Sequence, residues 1–474
     1  MKRSIVLVCA FAAIMATAGR SVAAEKLNVL FLFADDQRAD TIAALGNPII
    51  KTSNLDRLCR RGLAFNRAYM QGGFTGATCV PSRAMLLSGQ SLFHVDTSLT
   101  RDETWPAAFG RAGYTTFVSG KWHNGQKSLV ASFQSGRALF LKGMSRNPLR
   151  DFVCDLERGG LTSDYPAGKH LCAAFADSMV RFLREHKGGP FFCYLPFDAP
   201  HDPHVVPPDL PIHYDPAKIP LPPNFLPQHP FNNGEMSIRD EKLLPHPRPP
   251  EAVRQMIADY YRYISYLDSL IGQVLDALDA SPYAKNTIVV FSADSGVARG
   301  SHGLIGKQNL YEYDSVRVPL IIAGPGIAAG KRTEAMCYLY DVLPTLGTLC
   351  GVTAPPQSEG MDLSAVLRDP SRGGRPSLVF AYRGVQRAIE TPEWKLIRYP
   401  KAGRTQLFNV AADPYEIHDL ADKPENAARI AEMNGLLDRN LAAAGDHTGE
   451  GSGSKTKANR KARKDKSKGT SEEE

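Results

Sequence analysis

The sequence lacks several features that would assign a chain to a class at once. Its eight cysteines among 474 residues form no CxxC pair, which argues against the common structural zinc sites and against a small disulfide-stapled scaffold. No apolar run reaches the roughly 18 residues of a transmembrane helix. No internal repeat is visible, and a hydrophobic content of 43% excludes a disordered chain. A large globular chain remains, long enough for two structural units.

The net charge of +7 is concentrated at the two ends of the chain. Residues 1–24 carry +3 and residues 451–474 carry +4, so the sequence between them is formally neutral. A surface that binds nucleic acid needs a local excess of lysine and arginine in the folded part. We therefore expect no nucleic-acid partner.

Residues 1–24 have the pattern of a secretory signal peptide. Lys2 and Arg3 precede a short apolar stretch, and Ala23-Ala24 closes a small-residue cleavage site. This pattern predicts export to the periplasm or the medium, with no transmembrane segment once the signal is removed. Export permits disulfides, but seven cysteines remain, so at least one thiol is unpaired or chemically special. The pairing of the others stays open.

The C-terminal tail, residues 447–474, is predicted to be disordered. From Gly451 onward it is rich in lysine, glycine and serine and has no apolar periodicity, so it cannot contribute to a packed core. A second interpretation is a tether for acidic polysaccharide or for an anionic envelope surface.

Four apolar runs in the body each lead into polar or ionisable side chains. They are residues 28–33 before Asp35 and Asp36, 115–118 before Lys121 and His123, 191–195 before His201 and His204, and 287–291 before Asp294 and Ser295. Nearly continuous apolar strands are typical of a mostly parallel sheet with helices on both faces. Ligands of such sheets bind beyond the carboxyl ends of the strands. We therefore expect these side chains to form one site.

The remaining segments predict how this sheet is completed. Helical spacing of apolar residues predicts a helix over residues 252–278. Residues 196–250 hold 16 of the 34 prolines, which predicts a surface excursion beside the substrate, with His213, His229 and His246 solvated. Residues 370–446 predict a small antiparallel sheet, with strands at 378–382, 394–399 and 406–410, and one helix over 425–443. Residues 25–369 would then be the catalytic domain.

The segment Cys79–Arg83, which reads CVPSR, is the most specific motif of the chain. At average composition CxPSR arises by chance in about one chain in a thousand of this length. A proline near the first helical position also predicts a helix N-terminus here. Backbone N–H groups and the helix dipole favour an anion at such a position. A buried structural cysteine is the alternative interpretation.

With this motif the chain resembles the formylglycine-dependent sulfatases of the alkaline phosphatase superfamily. Further family segments follow in the expected order, over nearly all of residues 25–443: 35–38 (DDQR), 54–58 (NLDRL), 120–123 (GKWH), 200–204 (PHDPH), 302–307 (HGLIGK) and 407–409 (LFN). The resemblance implies an alkaline phosphatase-like α/β fold with a mixed, mostly parallel sheet and a small C-terminal antiparallel sheet with one helix. It also implies a sulfuric ester hydrolase.

The resemblance further implies specific roles for site residues. A separate formylglycine-generating enzyme would oxidise Cys79, and one calcium ion would be held by Asp35, Asp36, Asp294, Ser295 and the modified Cys79. The implied catalytic residues are Cys79, Arg83, Lys121, His123, His201 and Lys307. The implied substrate contacts are Lys121, His201, His204, His302 and Lys307.

Ser295 departs from the family pattern, which places asparagine or histidine after the aspartate. The serine hydroxyl is a shorter, neutral ligand, so direct contact with the ion is left open. Secretion favours a sulfated saccharide as substrate. Two alternatives remain: a hydrolase of phosphate diesters or phosphonates, and a non-enzymatic protein that binds sulfated glycans.

Overall fold

The computed structural model describes residues 26–446. The predicted signal peptide and the predicted basic tail lie outside these described residues. Within them, no helix combines the length and the apolar character needed to cross a membrane.

The described residues form seventeen strands. In chain order these are β1 (Asn28–Ala34), β2 (Gly62–Tyr69), β3 (Gly72–Gly73), β4 (Thr115–Lys121), β5 (Ser135–Phe140), β6 (Phe152–Glu157), β7 (Gly160–Leu161), β8 (Tyr165–Pro166), β9 (Phe191–Pro196), β10 (Thr287–Ala293), β11 (Arg317–Ala323), β12 (Lys331–Thr333), β13 (Cys337–Tyr338), β14 (Leu378–Tyr382), β15 (Gln386–Glu390), β16 (Trp394–Tyr399) and β17 (Arg404–Asn409).

The same residues form nine α-helices. In chain order these are α1 (Ser53–Arg61), α2 (Cys79–Ser88), α3 (Trp105–Arg111), α4 (Gln126–Ser132), α5 (Leu171–Glu185), α6 (Pro250–Asp279), α7 (Val342–Cys350), α8 (Ser364–Arg368) and α9 (Ala427–Ala443). The helix predicted over residues 252–278 is α6, extended by two residues at its start and one at its end.

Five parallel strands form the centre of a twelve-stranded mixed sheet. Their order is β10-β1-β9-β4-β5, and antiparallel pairing begins at β11 on one side and at β6 on the other. All four apolar runs of the sequence lie in these central strands. Since parallel strands end at the same edge of a sheet, the polar segments that follow them converge there.

Helices cover both faces of the large sheet. Along β1, Val29, Phe31 and Phe33 pack with α2, α3 and α7, whereas Leu30 and Leu32 pack with α1, α5 and α6 on the other face. Both sets are fully buried, because side chains alternate across a strand. The predicted α/β fold, a mostly parallel sheet flanked by helices with a small antiparallel sheet beside it, is confirmed.

The smaller sheet has five strands in the order β17-β16-β15-β14-β3. Helix α9 packs on it through Met433, Leu437 and Leu441. The sequence analysis identified β14, β16, β17 and α9 but not β15, and it did not foresee that β3 joins from the chain segment before Cys79. The small sheet therefore shares a strand with the segment that leads into the site.

The proline-rich excursion has little regular structure, as predicted, with short 3₁₀ turns at Pro216–Lys218 and Asp240–Leu243. His213 and His246 are exposed. The prediction for His229 is wrong: this side chain is buried, and its Nδ1 lies 2.8 Å from the His302 carbonyl oxygen. The excursion is therefore anchored to the loop that carries the second lysine.

Candidate active site

The carboxyl ends of four adjacent strands bring the predicted site residues together. Asp35 follows β1 and Asp294 follows β10, and the register pairs the last residues of these two strands. Lys121 ends β4, and His201 lies in the turn after β9. Each of these side chains is buried. The apolar strands thus place ionisable groups at one edge of the sheet.

Asp35 is surrounded by cations. Its Oδ2 accepts a hydrogen bond from Arg83 Nη2 at 2.8 Å and lies 2.5 Å from Lys121 Nζ. Burial raises the pKa of this carboxyl group, but the charges of Lys121 and Arg83 outweigh burial and hold the pKa well below its ordinary value. The other oxygen, Oδ1, is buried and has no partner among the described residues. Asp35 is therefore an ionised carboxylate with one oxygen left for a ligand.

Asp36 binds the second lysine. Its Oδ1 accepts hydrogen bonds from Lys307 Nζ at 2.5 Å and from the Ser295 hydroxyl at 2.8 Å. Its Oδ2 lies 3.6 Å from His201 Nε2. The residue has a positive φ of 63°, a conformation that costs energy for any residue except glycine. This strained turn directs two successive carboxylates to the same place.

Asp294 links the two neighbouring strands. Its Oδ1 accepts the backbone N–H of Asp36 at 3.0 Å, and its Oδ2 accepts Arg83 Nε at 2.9 Å. Burial and the nearby charge of Asp35 raise the pKa of Asp294 to about 6. A carboxyl group whose ionisation is opposed in this way gains from a cation beside it.

Cys79 is the first residue of α2 and lies at the centre of the cluster. Its Sγ is 3.3 Å from His123 Nδ1. Burial raises the pKa of the thiol to about 11, and burial together with the Lys121 charge lowers the pKa of His123 to about 3. At neutral pH the sulfur is therefore protonated and the imidazole is neutral. An unmodified Cys79 is therefore a weak nucleophile here, and the neutral ring lies within hydrogen-bond reach of residue 79.

The acidic residues suit a hard metal ion. Ligand atoms of Asp35, Asp36 and His201 lie within 4.8 Å of one another, and Asp294 is hydrogen-bonded to Asp36. The unpartnered oxygen of Asp35 is the observation that fits an ion best, because a buried carboxylate oxygen normally has a partner. Ser295 contacts Asp36 in this structure, so its direct ligation of a metal stays a prediction.

Two predicted substrate contacts lie outside this cluster. His302 stacks on Tyr311, its Nδ1 lies 3.2 Å from Asp314, and its Nε2 lies 3.0 Å from the Glu416 carbonyl oxygen. Both ring nitrogens of His302 thus have partners inside the protein, and its role as a substrate contact stays a prediction. His204 lines a neighbouring cavity and lies 3.1 Å from Arg299, and its role as a substrate contact stays a prediction.

Three residues that support the site, Asp198, Glu241 and Arg248, were not predicted from the sequence. Asp198 lies 3.1 Å from Lys121 Nζ through Oδ1, and its only sequence signal was its place after the β9 run. Glu241 accepts the backbone N–H of Gly306 at 2.9 Å and pairs with the buried Arg248. It therefore fixes the turn before Lys307. No local pattern marked it within the proline-rich excursion.

This edge of an α/β sheet gathers buried carboxylates, two lysines and a cysteine at a helix N-terminus, a set of groups typical of an enzyme active site. The family model described as Sulfatase matches residues 27–352, and the chain therefore belongs to the sulfatase family. A second model, N-sulphoglucosamine sulphohydrolase, C-terminal, matches residues 300–442. The protein is thus an enzyme that hydrolyses sulfate esters.

Individual relatives cover most of the chain. An ulvan-active sulfatase of Formosa agariphila is 28% identical over 453 residues, which cover 89% of this chain and 82% of the relative. A structure in complex with its substrate D-glucosamine-2-N,6-O-disulfate has a TM-score of 0.72 at 22% identity, covering 89% and 99%. A phosphonate monoester hydrolase of Agrobacterium radiobacter has a TM-score of 0.70 at 21% identity, covering 88% and 96%. The two structural likenesses concern the fold.

Proposed function

We propose that this protein is an exported sulfatase that hydrolyses sulfate monoesters of sulfated carbohydrates. Its nucleophile would be a formylglycine made from Cys79 by a separate maturation enzyme, and its cofactor one calcium ion. The observation that carries the proposal is the buried Cys79, at a helix N-terminus, 3.3 Å from a neutral His123 and among the charges of Lys307, Lys121 and Asp35.

The pKa of about 11 favours the modification over direct thiolate chemistry. An oxidised side chain would present a hydrated aldehyde, whose hydroxyl group attacks sulfur. His123 is neutral and close enough to take the proton of that hydroxyl group. Arg83 and Lys121 are buried beside it and would stabilise the negative charge that develops.

The calcium ion would be held by Asp35, Asp36, Asp294 and the modified Cys79, with Ser295 either a ligand or a partner of Asp36. Bound there, it would supply positive charge for the nucleophile and for a sulfate oxygen. Lys307 and His201 would hold the sulfate group and protonate the leaving alcohol.

The carbohydrate substrate is inferred from the relatives, which include an enzyme active on ulvan and a structure holding a disulfated glucosamine. Export is inferred from the signal pattern of residues 1–24. Both inferences agree, because a polysaccharide is met outside the cytoplasm.

The proposal is tested by mass spectrometry of the tryptic peptide 68–83, isolated from protein made in a host that has the maturation enzyme. We expect an aldehyde or its hydrate at Cys79, sulfate release from sulfated oligosaccharides, and no release by Cys79→Ala. Active protein in which Cys79 remains a thiol would refute the proposed nucleophile. Equal release by Cys79→Ala would do the same.

A second candidate reaction is hydrolysis of a phosphonate or phosphate ester, favoured by the fold shared with the phosphonate monoester hydrolase. Phosphonate monoesters and phosphate diesters carry one negative charge at neutral pH, as sulfate monoesters do, so the candidates are separated by measured rates on substrates with the same leaving group. We expect kcat/KM on an aryl sulfate to exceed that on the matching aryl phosphate and phosphonate. The opposite order would favour the second candidate.

A further inference from the structure

A cavity of about 570 Å³ lies directly beside the site, within the size range of ligand pockets. On one side it is lined by Asp202 and His204, which follow His201 in the chain. On the other side Met144 and Arg146 line it, and the residue between them donates its N–H to Asp198 at 3.3 Å. The cavity lining therefore adjoins two residues of the site: Asp198, which contacts Lys121, and His201, whose Nδ1 lies 3.5 Å from Asp202.

One residue of this cavity is a buried cation without a counter-ion. Arg299 is 2% exposed and forms no ion pair among the described residues. Its Nη2 lies 3.1 Å from His204 Nε2, its Nη1 lies 3.4 Å from the Met256 sulfur, and its Nε is buried without a partner. The guanidinium group lies over the Tyr260 ring at 5.2 Å.

The neighbouring carboxylate does not supply the missing counter-ion. Asp202 lies near enough for the Arg299 charge to contribute to its lowered pKa. However, both of its oxygens are bound by Arg239. A buried charge without a partner is costly, and Arg299 also adopts a positive φ of 51°. Two unfavourable features at one residue call for a compensating interaction.

The charge of Arg299 also affects the protonation of His204. Burial and the Arg299 charge lower its pKa well below the ordinary value, so the ring is neutral and its Nε2 accepts the Arg299 N–H. The imidazole is thereby fixed in one tautomer. The Arg299 guanidinium group still has no anionic partner among the described residues and is available to a ligand that enters the cavity.

We propose that Arg299 binds a second anionic group of the saccharide, a carboxylate or a further sulfate, while the scissile sulfate lies at Cys79. This proposal rests on the proposed function. Apolar walls from Met144, Leu243 and Met256 would contact the sugar ring, and the exposed Arg146, which forms no ion pair among the described residues, stands at the same cavity. Arg299 also lines a larger cavity of about 860 Å³, whose lining, unlike that of the smaller cavity, does not include Asp202 and His204.

The test compares Arg299→Gln with the wild type on three substrates. These are a neutral saccharide with one sulfate, a uronate-containing saccharide with one sulfate, and a disulfated hexosamine. We expect wild type to prefer a substrate with a second anion. In Arg299→Gln the ratio of kcat/KM between that substrate and the neutral one should fall about 10- to 100-fold, the range for losing a hydrogen bond to a charged group.

The pattern of loss identifies the ligand, and controls keep the result interpretable. A loss limited to the uronate substrate assigns a carboxylate, and a loss limited to the disulfated one assigns a sulfate.

Arg184→Gln removes the same charge from an exposed position on α5 and should leave the ratio unchanged. Arg299→Met retains the packing on Tyr260 and should reproduce the loss even if the glutamine variant folds poorly.

Two outcomes are distinguished by these measurements. If wild type shows no preference for a second anion, or if Arg299→Gln lowers kcat on all three substrates equally, the Arg299 proposal is overturned while the sulfatase proposal stands. If formylglycine-containing wild type releases sulfate from none of the three, the carbohydrate proposal itself fails.

Discussion

Replacing Gly143 by alanine tests the role of His123 without touching a charged group. Gly143 lies in the loop after β5, and a Cβ built on it would be 2.4 Å from His123 Nε2 and 2.7 Å from Cε1. Ordinary contact begins near 3.4 Å, so the ring or the loop must move by about 1 Å. The imidazole is half-buried and can tilt, whereas the loop continues directly from β5 and donates the Ser145 N–H to Asp198. We expect the ring to move.

The consequence for catalysis follows from the distance between the imidazole and residue 79. A displacement of about 1 Å in a catalytic group costs on the order of 100-fold in rate. Overpacking a buried site typically costs about 1–3 kcal/mol of stability. If the ring moves aside, the loss in the free energy of unfolding should be at the low end of that range. Gly143→Ala should therefore lower kcat by roughly 100-fold and leave the thermal midpoint nearly unchanged.

The assay measures kcat and KM on an aryl sulfate and normalises them to the formylglycine content of peptide 68–83. The control is Gly373→Ala, an exposed glycine with ordinary φ and open space around its Cβ. A variant with wild-type kcat would refute the reasoning about His123. A variant whose thermal midpoint falls sharply while kcat persists would show that the loop moves instead of the ring.

Three further predictions concern charges at the site and, for Glu312, in a separate buried cluster with Tyr69 and Arg317. Asp198→Asn keeps the shape of a side chain 3.1 Å from Lys121 but removes its charge, so kcat/KM on an aryl sulfate should fall about 10- to 100-fold with the thermal midpoint retained. Burial and the charge of Glu390 raise the pKa of Glu312 from 4.5 to about 7. The stability that the protonated carboxyl contributes to the folded wild type is therefore lost as pH rises from about 4.5 through 7. In urea unfolding, Glu312→Gln should be more stable than wild type by about 3 kcal/mol at pH 8 and by much less at pH 4. Removing calcium with a chelator should weaken the binding of free sulfate, measured by calorimetry. An unchanged sulfate affinity would contradict the proposed ion site.

The sequence predicts the edge of the sheet well because the relevant signals are local. Each central strand is a continuous apolar run. Because these strands are parallel, the residues that follow them all lie at the same edge of the sheet. Asp35, Lys121, His201 and Asp294 are therefore brought together by strand direction alone. Lys307 and Cys79, on other segments, were placed by the family resemblance.

The sequence predicts the surroundings of the site poorly because they depend on distant packing. His302 belongs to a motif, yet its position is set by a carbonyl group 114 residues later. Glu241 fixes the turn before Lys307, but it lies in a proline-rich stretch that has no helix or strand periodicity. No sequence pattern therefore indicates its position. No sequence pattern marks Arg299. It stands out only in the folded structure, where its buried charge has no counter-ion among the described residues.

The charges of the site explain why an ion and a substrate anion should bind together. In this structure Lys121 and Lys307 each lie 2.5 Å from an aspartate that the proposal assigns to calcium. Lys121 is also paired with Asp198, whereas Lys307 forms its ion pair with Asp36. A divalent cation held by Asp35 and Asp36 would compete for the same oxygens and would weaken both contacts. Lys307 in particular would then gain from another anion, which a sulfate ester would supply. Binding of either one therefore favours binding of the other, and by linkage the effect is reciprocal.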